Sequence, residues 1–133
     1  MNTIQTPQLE FIGQIRTPYT EVSQCPNNIQ PQDGPVCEIQ LKSQYHKGLV
    51  GLGVGQKILV LYWLSGANRQ PEMTQGKKGT FALRSPHRPN PLGAAVLPIE
   101  SIDEGAIKVR GLDCLDGTPL VDIKPAIYFE AQS

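Results

Sequence analysis

Three prolines fall within six residues, at Pro86, Pro89 and Pro91, and nothing else in the chain restricts its backbone so tightly. Each ring fixes φ and removes a backbone donor, so 85–91 neither propagates a helix nor sits inside a central strand. The residue before each proline is driven toward extended geometry, which holds Ser85, Arg88 and Asn90 in a stiff, outward-facing ribbon. Arg84-Ser85-Pro86-His87-Arg88-Pro89-Asn90-Pro91-Leu92-Gly93 therefore displays two guanidiniums, an imidazole, a hydroxyl and an amide at low entropic cost. Such a loop suits a polar, anionic ligand, because guanidinium forks match carboxylate or phosphate. Its companion is Asp113-Cys114-Leu115-Asp116-Gly117-Thr118-Pro119, which runs on to Asp122-Ile123-Lys124-Pro125.

Around these motifs the apolar stretches are short, helical periodicity is scarce, and 13 glycines and 12 prolines punctuate the chain. That pattern predicts an all-β, β-rich domain with one or two short helices. At 133 residues, 1–133 is expected to be a single domain, long enough for one real core. Strands are expected at 9–16, 35–41, 58–64, 79–83, 93–99, 106–112 and 120–123. A short helix is expected within 42–52, and an aperiodic polar loop at 20–34. In the second strand Cys37, Ile39 and Leu41 share one face, and Val36, Glu38 and Gln40 the other. The strand at 58–64 is apolar on both faces, so either both are covered by the protein or the outer one meets another subunit. Gly51, Gly53 and Gly55 read as a turn into that strand. The third glycine is misplaced for a dinucleotide fingerprint, and no helix follows.

Twelve basic and twelve acidic residues cancel, so bulk charge argues for no particular partner. Their distribution is uneven: 73–99 contains no Asp or Glu but holds Lys77, Lys78, Arg84 and Arg88, a local basic face. Cys25, Cys37 and Cys114 form no C-x-x-C pair, and with His46 and His87 they lack zinc-site spacing, so free, mostly buried thiols and no metal are expected. The first ten residues lack a basic segment followed by an apolar one, and no apolar run approaches a membrane span; a cytoplasmic protein is expected. Asp116 suits a turn former, and Asp113, at a strand end, is the better ligand contact. His87 could act as a base near neutral pH but has no acidic orienter, which favours a solvated loop histidine. Tyr62 and Trp63 point to opposite faces: one belongs to the core and the other stacks on a base or a partner subunit. No residue is identified as catalytic.

The run Phe81-Ala82-Leu83-Arg84 through Gly93, then Gly111-Leu112-Asp113 through Pro119 and Asp122 to Pro125, resembles the TsaA-like family, the YaeB or TrmO group. Ile12-Gly13-Gln14-Ile15-Arg16-Thr17-Pro18-Tyr19 matches it as well, so the similarity covers nearly the whole chain. The resemblance implies a small, closed, antiparallel β-barrel that forms a homodimer and binds S-adenosylmethionine. Family members methylate N6 of threonylcarbamoyladenosine beside the anticodon of certain threonine tRNAs, which makes tRNA the implied partner. Carried over by position, the cofactor site draws on Ile29, Gln30 and Pro31, on Ser65 and Gly66, on Arg84, on Leu92, Gly93 and Ala94, and on Arg110, Gly111, Leu112 and Asp113. Lys77, Lys78, His87, Arg88 and Asn90 are left to bind the substrate. This chain departs from the family where Val54-Gly55-Gln56-Lys57 replaces Phe-Ser-His and where Ser65 replaces a histidine; its polar loop lacks the usual Gln-Pro-Gly, and it ends without the C-terminal extension of longer members. A cofactor-binding module without transfer activity, and a methyltransferase of small molecules, are the alternatives.

Overall fold

The sheet is built from short alternating segments, each placing every second side chain in the core. The computed structural model describes residues 6–131; residues 1–5, part of the stretch read above as lacking a leader, and 132–133 lie outside it. The strands are β1 (Gly13–Arg16), β2 (Val36–Leu41), β3 (Lys57–Trp63), β4 (Thr74–Gln75), β5 (Lys78–Gly79), β6 (Leu92–Pro98), β7 (Ser101–Asp103), β8 (Ala106–Arg110) and β9 (Thr118–Pro125). Short 3-10 helices occupy Val22–Gln24, Ser43–Leu49 and Thr80–Ala82, and a single α-helical turn, α1, occupies Tyr128–Ala131. Seven strands form one antiparallel sheet in the order β6-β3-β9-β1-β2-β8-β7, and β4 and β5 make a separate hairpin.

The core follows the alternation. Ile58, Val60 and Tyr62 point inward from β3, Cys37 and Ile39 from β2, Ala95 and Leu97 from β6, and Ile107 and Val109 from β8. Each fully buried aliphatic side chain among them contributes about 1.5–3 kcal/mol. The outer face of β3, with Leu59, Leu61 and Trp63, is half-buried rather than sealed. At the junction with β9 the register slips between Leu61 and Tyr62, so that Leu61 pairs with Asp122 and Tyr62 with Leu120. This bulge lies at the end of β3 nearest the two motifs.

Two expectations need correction. The sheet is not a closed barrel: β6 and β7 are its two edges and share no ladder. Where the chain passes between them it changes partner, Ile99 N–H donating to Gln56 O (3.0 Å) and Glu100 N–H, one residue later, to Lys108 O (2.9 Å). Pro98 has no donor and β7 is only three residues long, so this corner cannot become a ladder. The strand expected at 79–83 is instead a 3-10 turn. Thr80 is buried, its N–H and hydroxyl both directed at Met73 O, while Phe81 is left 76% exposed. Apolar composition suggested a strand there, but pairing with β4 stops at Gly79, the end of β5, and 80–82 turn away instead. No helix among the described residues is long and apolar enough to cross a membrane.

Candidate functional site

The two motifs meet at one end of the sheet, where β3 finishes, β6 starts and the chain leaves β8. Tyr62, 3% exposed, donates its hydroxyl to Asp113 Oδ1 at 2.8 Å, across 51 residues of sequence. Its ring lies against Gly93, its ladder partner; a Cβ there would come within 2.2 Å of Tyr62 Cε2. Burial first, and then the Asp113 charge, raise the Tyr62 pKa well above the ordinary phenol value, with Arg84 acting weakly the other way. The hydroxyl is therefore a donor at every physiological pH. Arg84, exposed, places Nη2 3.3 Å from Ala94 O, beside the same ring.

Behind Asp113, the polar loop is fastened by two backbone crossings. Gln30 N–H donates to Gly111 O (2.8 Å), and Gly111 N–H to Pro35 O (2.8 Å). Gly111 has φ +79°, and a Cβ on it would sit 1.9 Å from Gln30 O; one on Gly34 would sit 2.4 Å from Gly111 Cα. Only two glycines let these backbones pass so closely. Arg110 is committed to the same joint, Nε to Glu100 Oε1 at 2.9 Å and Nη1 to Gly34 O at 3.2 Å. Burial first, and then the Asp113 charge, push the Cys25 thiol of this loop up. Gln24 orders the start of the loop by accepting from Thr20 N–H (2.8 Å) and Glu21 N–H (3.0 Å).

Asp116 is a turn former, as its sequence context predicts. Its Oδ1 accepts from Thr17 N–H at 3.0 Å and pairs with Arg16 Nε at 3.2 Å. The three thiols are free, Cys37 and Cys114 buried and Cys25 partly so.

The proline loop is stiffened by its own polar groups. Arg88 Nη1 donates to Leu83 O (2.8 Å) and Ser85 O (3.0 Å), and its guanidinium lies over Phe81 at 5.8 Å. His87 Nδ1 accepts from Asn68 N–H at 3.0 Å, which leaves its ring proton on Nε2. Asn90 Oδ1 receives Arg69 Nη2 at 3.4 Å, while Arg69 Nε donates to Pro89 O (2.8 Å) and the guanidinium stacks on Trp63 at 5.2 Å. Three of the residues expected to meet the substrate thus make contacts within the loop or to the 65–71 segment. Lys77 and Lys78 stand exposed on the β4–β5 hairpin, and Ser65 and Gly66 are exposed just past β3.

Sequence reasoning left Tyr62 undecided between core and ligand, and missed Arg69. Strand parity decides the first, since Tyr62 shares the face of Ile58 and Val60. Nothing local marks the second. Two concavities exist elsewhere, one of about 450 Å³ lined by Asn68, Arg69, Gln70 and Pro89 and one of about 570 Å³ beside Tyr45, Leu49 and Ile123; neither contains Arg84 or Asp113. The convergence of Tyr62, Arg84, Gly93 and Asp113 is instead an open shelf. Chemically it offers a cation and a carboxylate side by side, a pairing suited to a zwitterionic ligand.

The tRNA-methyltransferase O N-terminal domain family model matches residues 14–131. A probable S-adenosyl-L-methionine-binding protein of Archaeoglobus fulgidus is 43% identical over 123 residues, spanning 89% of this chain and 33% of that protein. A mouse tRNA (adenine(37)-N6)-methyltransferase is 46% identical over 57 residues, 43% of this chain and 13% of that protein. The crystal structure of TrmO from Pseudomonas aeruginosa superposes with a TM-score of 0.79 at 29% identity, covering 99% of this chain and 60% of that one. The chain thus spans a third of the Archaeoglobus protein and about three-fifths of the Pseudomonas chain.

Proposed function

Because this chain belongs to the tRNA-methyltransferase O N-terminal domain family, we propose that it binds S-adenosylmethionine on the Arg84–Asp113 shelf and methylates N6 of a tRNA adenosine, threonylcarbamoyladenosine beside the anticodon. The observation that carries this reading is the convergence of the two family motifs, 84–93 and 111–113, around Tyr62. Arg84 supplies the cation for the methionine carboxylate. Asp113 accepts from a donor group of the ligand, and Ala94, a small residue beside Arg84, admits its approach. Ile29, Gln30, Pro31 and the backbone of Gly111 and Leu112 wall the side where an adenine edge would lie. Ser65 and Gly66 close the end of β3, and Arg110 holds the loop in place.

When bound, S-adenosylmethionine supplies an activated methyl group; the protein's own residues orient the acceptor nitrogen in line with it, with no covalent intermediate on the chain. Lys77 and Lys78 steer the RNA backbone, and the stiffened ribbon of His87, Arg88 and Asn90 shapes the approach to the shelf. The tRNA substrate places the reaction in the cytoplasm. A second copy covers the outer face of β3 and β6, where Leu59, Leu61, Trp63, Leu92 and Val96 line up by register and remain half-buried or exposed. We treat 1–133 as one domain.

Calorimetric titration with S-adenosylmethionine, followed by transfer of a labelled methyl group to threonine tRNA, tests the proposal. Saturable binding and labelled methyladenosine are expected, and no heat of binding would end it. A binding-only module is the second reading, favoured by Ser65 standing where members carry a histidine; binding without label in any tRNA would select it.

A further inference from the structure

We propose that Tyr62 is a positioning residue: its hydroxyl fixes the Asp113 carboxylate through Oδ1, so that Oδ2 is presented to a hydrogen-bond-donating group of S-adenosylmethionine. The inference rests on the function proposed above and goes beyond it by assigning a residue that does not itself touch the ligand.

Asp113 follows β8 on an irregular segment and is half-buried, so its carboxylate has no regular secondary structure to orient it. Tyr62 is the opposite kind of residue: a strand residue, almost fully buried, rigid in its ladder with β6 and in its pairing with Leu120 of β9. The 2.8 Å bond between them transmits that rigidity to the carboxylate. Among the described residues Tyr62 is the hydrogen-bond partner of Asp113, and Oδ1 is the oxygen engaged. The phenol donates to Oδ1, which leaves Oδ2 as the oxygen that can face the ligand.

Gly93 completes the device. It lies opposite Tyr62 in the β3–β6 ladder, and the ring occupies the space a side chain would take, with three ring carbons within 2.7 Å of where a Cβ would be. Any larger residue would push the ring off the path to Asp113. The glycine ending the proline loop and the aspartate of the second motif are thus linked through a tyrosine that belongs to neither. The bulge at Leu61/Tyr62 lies at the same point and sets the ring's direction relative to β9.

The test is a cycle of four proteins, wild type, Y62F, D113A and Y62F/D113A, titrated with S-adenosylmethionine by calorimetry after urea melts confirm that each is folded. Y62F is expected to weaken binding about 10–100-fold, the range of one hydrogen bond to a charged group. D113A should weaken it at least as much, and the double variant no further than D113A, because Tyr62 acts only through that carboxylate. A purely structural tyrosine would lower the melting midpoint, leave the affinity of the folded protein unchanged and give no coupling. Y62F within twofold of wild type, or losses that add in the double variant, would overturn the inference alone. Absence of binding by the wild type would overturn the proposed function and this inference with it.

Discussion

Replacing Gly93 with alanine tests the packing that brings the two motifs together. The new Cβ would lie 2.2, 2.6 and 2.7 Å from three carbons of the Tyr62 ring, short of ordinary contact by more than 1 Å at the closest point. The ring is 3% exposed and anchored at its tip to Asp113, so it has nowhere to retreat with the bond intact. Either it turns and strands a buried hydroxyl, or β6 lifts from β3 and the Trp63–Leu92 end of the ladder opens. Overpacking costs about 1–3 kcal/mol, and an unsatisfied buried hydroxyl about 1–3 kcal/mol more. A loss near 3 kcal/mol is a large share of the roughly 5–15 kcal/mol that holds a domain together. With a urea m-value of about 2 kcal/mol/M, the unfolding midpoint should fall by roughly 1.5 M. The same substitution in a Tyr62→Leu background, where no ring occupies the space, should cost less than about 1 kcal/mol. A Gly93→Ala midpoint within about 0.2 M of wild type would refute the reasoning.

Other outcomes are expected from single observations. Gly111→Ala, at φ +79° and against Gln30 O, should be far more destabilising in a thermal melt than Gly117→Ala, which has φ +80° but open space around it and should cost about 1 kcal/mol. Arg84→Ala should weaken S-adenosylmethionine binding more than Lys77→Ala; equal affinities would remove Arg84 from the shelf. Burial holds the Cys114 thiol up at about 12, against 9.0 ordinarily. Above pH 9 the unfolded thiol ionises while the folded one does not, so its contribution to stability, intact below pH 9, should drain away between pH 9 and 12. A C114A variant should show a shallower loss of stability across that window in urea melts at stepped pH.

Local rules carried the sequence reading a long way. The parity of Cys37, Ile39 and Leu41 described the inner face of β2, with Cys37 and Ile39 fully buried and Leu41 at its margin. Asp116-Gly117 made the turn its chemistry demands. Cys37 and Cys114 proved buried and free. The misread strand at 79–83 failed because pairing, not composition, makes a strand, and the ladder with β4 stops at Gly79. The proline context of Arg88, His87 and Asn90 predicts outward display, yet Leu83 O, Asn68 N–H and Arg69 already engage them. The sequence holds the list of donors and acceptors but not which of them meet.

By itself, then, the chain determined its longer strands, its turns, its stiff proline ribbon and, through its motifs, its family. These depend on neighbours within a few residues, where sterics and alternation act directly. Tertiary structure alone decided that Tyr62 reaches Asp113 past Gly93, that Gly34 and Gly111 cross, and that the sheet stays open between β6 and β7. Each of these rests on strand register and on contacts across tens of residues, and register emerges only when the whole core packs at once.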